Sequence, residues 1–307
     1  MAWVCETDAT AADMAILSHE ADLYHAVMIG LRDYVGKNGF PGVVLGLSGG
    51  IDSALTAVIA VDALGAERVR ALMLPSPYTS RDSLADAAAV ARALGVRYDS
   101  IPITPAMAAV STMLAPLFAG KAPDVTEENI QSRLRGLVLM AISNKFGLMV
   151  VTTGNKSEMA VGYATLYGDM CGGYGVLKDL YKQDVFALSR WRNAHRPPGA
   201  CGPAGVVIPE RVIQKPPSAE LRPDQKDSDS LPPYEELDAI LRQLIEDGAS
   251  VRDVVAAGFP EATVRRVWQL LQRAEYKRRQ AAPGVKVSPR AFGRDWRLPL
   301  TDRSDSQ

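Results

Sequence analysis

Cysteine is scarce in this chain of 307 residues, with only Cys5, Cys171 and Cys201. An odd, widely spaced set makes neither a disulfide framework nor a zinc site, so a reducing, cytoplasmic setting is expected. No stretch of about 18 uncharged apolar residues is present, as a membrane span would need. The first residues also lack the basic start and apolar run of a secretory signal. Excess charge is missing too: the net charge of −1 gives nothing to attract nucleic acid or a membrane surface. Internal repeats are absent. What the chain does have is 47% hydrophobic residues, enough to bury a large core as one main domain with appendages.

The stretch that organises the rest runs Val43-Val44-Leu45-Gly46-Leu47-Ser48-Gly49-Gly50-Ile51-Asp52-Ser53. Val43 to Leu47 reads as a short buried strand, and Ser53 to Leu64 as a helix stopped by Gly65. The glycine turn between them leaves backbone N–H groups and a helix N-terminus free to meet an anion, and Ser48 and Ser53 add hydroxyl donors. Asp52 is the odd member, because a carboxylate repels phosphate unless a cation lies between them; it points to Mg²⁺ carried by a polyphosphate. The spacing fits neither the Walker pattern nor the Gly-x-Gly-x-x-Gly fingerprint.

Around this stretch the sequence predicts alternating elements. A helix over 13–37 carries His19 and His25, both read as surface or packing residues rather than ligands. Strands follow at 68–74, 96–103 and 148–152, with helices at 82–94, 104–118 and 126–146. Strands alternating with helices imply a doubly wound parallel sheet, an α/β Rossmann-like fold, with ligands at the carboxyl strand ends. The last strand leads into Thr153-Gly154-Asn155-Lys156-Ser157-Glu158. If this strand neighbours the first, Glu158 and Asp52 converge on one ion. Residues 162–175, rich in Gly and Tyr, read as an ordered site loop rather than a core element. Lys182 opens a helix over 180–193 and suits a phosphate as a point charge. The Pro-, Asp- and Ser-rich stretch 197–233 reads as a mobile, lid-like loop. Short helices follow, then an amphipathic helix over 263–280 and a polar tail over 298–307.

Five strings carry a family resemblance: 47–53 (Leu-Ser-Gly-Gly-Ile-Asp-Ser), Glu128 to Arg133, Thr153 to Tyr163, Ile208 to Arg211, and Pro217 to Gln225. Taken in order, they resemble NAD synthetase of the ATP pyrophosphatase superfamily, specifically the synthetase domain of the two-domain, glutamine-dependent bacterial enzymes. The resemblance covers about residues 15–297, leaving 1–14 as an irregular N-terminal segment. It implies an adenine nucleotide alpha hydrolase-like fold and a ligase that forms NAD from deamido-NAD, ATP and ammonia. Deamido-NAD would attack the α-phosphate of MgATP, releasing PPi; ammonia would then displace AMP from the adenylated carboxylate.

By that resemblance, Gly46, Leu47, Ser48, Gly49, Gly50, Ile51, Asp52, Ser53, Thr153, Lys182 and Ser218 match ATP-binding positions. Asp52 and Glu158 would hold Mg²⁺ as the central catalytic pair. Arg133, Glu158 and Lys277 match deamido-NAD-binding positions, which in the family often come from both subunits of a homodimer. Leu166 before Tyr167-Gly168-Asp169, and Tyr276 before Lys277, depart from the small ammonia-dependent enzymes and match the two-domain subgroup. The nitrilase-like glutaminase domain of that subgroup, about 250 residues by domain-size arithmetic, is not within this sequence. Cys5 lacks the Glu and Lys partners to replace it, so the sequence reads either as a fragment of a longer enzyme or as a free-standing synthetase fed by free ammonia or a separate glutaminase. The first string alone leaves guanylate, asparagine or argininosuccinate synthesis open. Two further alternatives are an amidotransferase on another acceptor, such as tRNA, and an inactive nucleotide-binding module.

Overall fold

The computed structural model describes residues 18–301. The expected irregular segment 1–14 and the last six residues of the polar tail lie outside them. Along the chain run α1 His19–Lys37, β1 Val43–Gly46, α2 Ile51–Leu64, β2 Val69–Met73, α3 Arg81–Leu94, β3 Arg97–Ser100, α4 Thr104–Leu114, α5 Val125–Phe146 and β4 Met149–Thr152. Then come α6 Lys156–Val161, β5 Tyr174–Gly175, α7 Lys182–Ala194, α8 Glu210–Gln214, α9 Tyr234–Arg242, α10 Val251–Ala256, α11 Glu261–Arg273 and α12 Glu275–Arg278.

The strands form one parallel sheet in the order β3-β2-β1-β4-β5. The chain winds outward from β1 through β2 to β3, then returns to place β4 on the other side of β1. The crevice between β1 and β4 is therefore the topological switch point, where parallel sheets bind ligands beyond their carboxyl ends. Helices cover both faces. Val43 and Leu45 of β1 pack with α1, α2, α3 and α7, whereas Val44 turns to the opposite layer with residues of α4 and α5. That alternation is the period-two side-chain geometry of a strand buried on both sides.

Only Asp52 of α2 escapes full burial, which explains the nearly unbroken apolar composition of this helix. Its one buried acid, Asp62, meets Arg192 of α7 in two bonds of 2.6 and 3.0 Å and accepts from the Tyr24 hydroxyl at 2.5 Å. That triad fastens α1, α2 and α7 beneath the site. A second cluster, centred on Leu237, Ile240, Val264, Val267 and Leu271, joins α9 and α11 to α6.

Several elements differ from expectation. The 162–175 stretch is not all loop: Tyr174 and Gly175 pair with Val151 and Thr152 and close the sheet as β5. The helix expected over 263–280 breaks at Ala274, whose Cβ sits where a side chain on Gly162 would collide at 2.8 Å. The strand expected over 96–103 ends at Ser100, ahead of Pro102, which has no N–H to donate. Residues 197–233 carry α8 and bury Val207, Ile208, Val212 and Ile213 in the main core.

Candidate active site

The turn after β1 is shaped by its glycines. Gly49 has φ of 84°, and a Cβ there would lie 2.3 Å from the Ser83 carbonyl oxygen of α3, so only glycine fits. Gly50 caps α2 without a side-chain hydrogen bond, leaving first-turn N–H groups for a ligand. Ser53 Oγ accepts from Ser48 N at 3.1 Å and donates to the Gly50 carbonyl at 2.9 Å, which holds the turn open. Gly46 and Leu47 lead in from the strand, with Leu47 N bonded to Leu72 O at 2.8 Å. Ile51 is buried beneath.

Asp52 and Glu158 come together, as the adjacency of β1 and β4 requires. Both carboxylates hold one cation: Lys182 Nζ lies 2.5 Å from Asp52 Oδ2 and 3.1 Å from Glu158 Oε1. Lys182 is 2% exposed, and the two acid side chains are 18% and 17% exposed. Burial pushes the Glu158 carboxyl well above its ordinary range, against the pull of Lys182. For Lys182 the balance runs the other way: burial lowers it, but Asp52 and Glu158 together raise it and keep it charged.

Two residues that sequence reasoning missed complete the cluster. Asn155, fully buried, donates from Nδ2 to Asp52 Oδ1 at 2.8 Å and accepts from Glu158 N at 2.9 Å. It thereby couples the two strand ends. Its place inside the Thr153–Glu158 string, at a carboxyl strand end, was the available signal. Asp227 is the other: its Oδ2 accepts from the Tyr234 hydroxyl at 2.9 Å, while Oδ1 has no partner. Burial raises its carboxyl and Lys182 lowers it. It was hidden in a stretch whose composition suggested only a loop.

Thr153 stands directly beyond β4, next to Gly154. Ser218 is engaged locally, donating to Gln225 O at 2.5 Å and accepting from Glu220 N at 3.2 Å. Arg133 and Lys277 lie away from the Asp52–Lys182 cluster, around the 162–169 segment. Arg133 Nε donates to Leu166 O at 3.2 Å, and Lys277 Nζ donates to Gly162 O and Ala164 O at 2.8 and 2.6 Å. Asp169 attracts Lys277 electrostatically, although burial lowers that ammonium overall. A cavity of about 20 Å³ lies beside Glu158, lined also by Gly154, Ala164 and Asp169. It is large enough for a molecule the size of water or ammonia.

Chemically, a donor-rich glycine turn faces two carboxylates that already share one cation. Two oxygen ligands from adjacent strand ends suit a hard divalent ion that brings its remaining ligands on a polyphosphate. Among the described residues no group of three or more His, Cys, Asp or Glu is placed to cage a metal.

The family model for NAD synthase matches residues 23–281. The glutamine-dependent NAD(+) synthetase of Rhodobacter capsulatus is 62% identical over 280 residues, covering 91% of this chain and 51% of that protein. The chain spans about half the length of the curated relatives it matches. Among solved structures, the glutamine-dependent NAD+ synthetase of Acinetobacter baumannii with ADP aligns at a TM-score of 0.62 and 48% identity, covering 92% of this chain and 50% of that one. The NMN synthetase of Francisella tularensis aligns at a TM-score of 0.69 and 28% identity, covering 84% of this chain and 95% of that one. With the family model spanning the sheet, the glycine turn and both carboxylates, the chain belongs to the NAD synthase family.

Proposed function

We propose that this chain is an ATP-dependent ligase that amidates deamido-NAD to NAD through an adenylated carboxylate, releasing PPi and AMP. The observation that carries the proposal is the convergence of Asp52 and Glu158 on one cation at the mouth of the glycine turn. In the first step a nicotinate carboxylate must approach a polyphosphate, so the site has to neutralise charge. The turn of residues 46–53 offers N–H and hydroxyl donors to the pyrophosphate. Lys182 supplies a positive charge, and Thr153 and Ser218 are assigned to the nucleotide by the family resemblance. Asp52 and Glu158 are the residues that would hold Mg²⁺, which offsets the phosphate charge when bound.

In the second step ammonia forms the C–N bond, the bond to AMP breaks, and one proton leaves the new amide. The small cavity beside Glu158 fits such a nucleophile. No side chain need act as a covalent nucleophile; the chain contributes positioning and electrostatics. Arg133 and Lys277 are assigned to deamido-NAD. Both meet the 162–169 segment rather than the Asp52 cluster, and a second copy of the chain is assigned to complete this part of the site. No residue of α4 is buried, and Met113, Leu117, Val125 and Leu137 leave exposed apolar groups on α4, α5 and the connection between them that suit a homodimer.

Glutamine supplies the nitrogen in the relatives by their names; here ammonia is assigned as the direct donor, from a glutaminase where one accompanies the chain. Cys171 and Cys201 are unpaired, which suits a reducing, cytoplasmic setting. No helix among the described residues is long and apolar enough to cross a membrane.

The test is ATP–PPi exchange by the purified chain with Mg²⁺, offering deamido-NAD, nicotinate mononucleotide or no acceptor, with Asp52→Ala as control. Exchange that requires deamido-NAD and disappears in the variant supports the proposal. Exchange with the mononucleotide alone moves the acceptor; none with either refutes adenylation.

A further inference from the structure

Asp238 belongs to α9, which supplies nothing to the glycine turn and lies outside every string that carries the family resemblance. It is nevertheless a carboxylate 2% exposed, and its contacts lead directly to the catalytic cation. Its Oδ1 accepts from Ser157 Oγ at 2.5 Å and its Oδ2 from Gln183 N at 2.9 Å. Ser157 Oγ in turn accepts from Lys182 N at 2.9 Å. Ser157 lies in the first turn of α6, just before Glu158; Lys182 and Gln183 open α7. The carboxylate thus sits between two helix N-termini, where the unpaired N–H groups and positive dipole ends favour negative charge. Those same two turns present Glu158 and Lys182 to each other and to Asp52.

We propose that Asp238 is a positioning residue for adenylation: through Ser157 and Gln183 it clamps the first turns of α6 and α7 and so fixes Lys182 against Asp52 and Glu158. The inference rests on the ligase reading above for its kinetic assay. A second tie joins α9 to α7, because Arg242 donates to both oxygens of Asp184 at 2.8 and 2.9 Å. That pair is partly exposed and bonds neither Ser157 nor Lys182, although Arg242 also attracts Asp238; it tests whether docking of α9 on α7 suffices without the Asp238 bridge.

Asp238→Asn leaves one acceptor oxygen and one NH₂ where two donors point, and Ser157→Ala removes the bridge to Lys182 N. In deamido-NAD-dependent ATP–PPi exchange each variant lowers kcat roughly 10- to 100-fold, the effect of a small misplacement, while KM for ATP stays within about threefold. Arg242→Ala keeps kcat within about twofold, as expected of an exposed ion pair. In a Lys182→Met background Asp238→Asn costs nothing more, because both changes act on one element.

Full additivity in that background, an unchanged kcat in both single variants, or an equal loss in Arg242→Ala overturns the proposal. Should Asp238→Asn fail to fold, Ser157→Ala carries the same cycle. A crystal structure of either variant reads the claim without turnover: Lys182 Nζ is expected to leave Asp52 Oδ2. Retention of the 2.5 Å contact overturns the clamp. Absence of any exchange in the wild-type chain refutes the ligase reading instead.

Discussion

Replacing Lys182 with Met removes the one cation shared by two inward-facing acids while keeping the bulk of the side chain. Lys182 is 2% exposed, and Asp52 and Glu158 retain 18% and 17% of their surface. Breaking a fully buried ion pair from one side costs roughly 3–5 kcal/mol. Because both acids keep some solvent, the expected loss here is about 2–3 kcal/mol. Unfolding by urea, followed through tryptophan fluorescence in metal-free buffer, reads that as a midpoint shift near 1 M if m is about 3 kcal/mol/M.

The pH dependence has a definite sign. Burial already holds the Glu158 carboxyl above its ordinary value of 4.5, and Lys182 partly counters it. Without Lys182 the carboxyl rises further, so the folded state keeps a proton that the unfolded chain has released. Stability then falls as pH rises through that window, by at most about 1.4 kcal/mol per unit. The deficit of the variant should therefore grow between pH 7 and 9. A deficit below about 1 kcal/mol at pH 9, or one that shrinks as pH rises, would refute the charge-sharing account. The same variant should lose roughly 10²- to 10³-fold in adenylation, because the cation facing the polyphosphate is gone.

Other consequences are sharper in outcome than in depth. Gly49→Ala should cost more than about 2 kcal/mol, since φ of 84° and a 2.3 Å approach to Ser83 O both oppose a side chain; thermal unfolding checks this. Excess EDTA should stop turnover, with recovery on adding Mg²⁺ and no change in far-UV circular dichroism; activity that persists in EDTA contradicts the assignment to Asp52 and Glu158. Asp238, raised by burial to about 6 from 3.8, keeps its proton over a window in which the unfolded chain has lost it. Wild-type stability should therefore carry a fall of about 2 kcal/mol between pH 4 and 7 that Asp238→Asn lacks; parallel urea-derived curves would contradict this.

The parts of the fold that were legible in the sequence are those whose physics is local. The turn at 46–53 is readable because glycine spacing, an apolar strand and a helix stop all lie within about twenty residues of one another. The convergence of Asp52 and Glu158 required only one non-local inference, that β1 and β4 are neighbours. What stayed hidden was set by tertiary context. Tyr174 and Gly175 form a strand because β4 offers an open edge, and no apolar run announces them. The helix breaks at Ala274, which packs closely on Gly162, a tertiary contact that helical periodicity cannot register. Asp227 and Asp238 are acids that only the folded chain buries, Asp227 within reach of the Lys182 charge and Asp238 against the first turns of α6 and α7. Arg135 of α5 is set among polar and apolar residues that do not announce its partner, and its guanidinium donates to Leu74 O at 3.0 Å beyond β2.

The central claim is that a nicotinate carboxylate attacks the α-phosphate of ATP at the Asp52–Glu158–Lys182 cluster before ammonia arrives. Deamido-NAD labelled with ¹⁸O in its carboxylate, incubated with MgATP, ammonium and the purified chain, tests it most directly. The expected products are unlabelled PPi, AMP carrying one ¹⁸O atom, and NAD retaining the other ¹⁸O in its carboxamide. NAD formed together with unlabelled AMP, or ADP and phosphate in place of AMP and PPi, would contradict it.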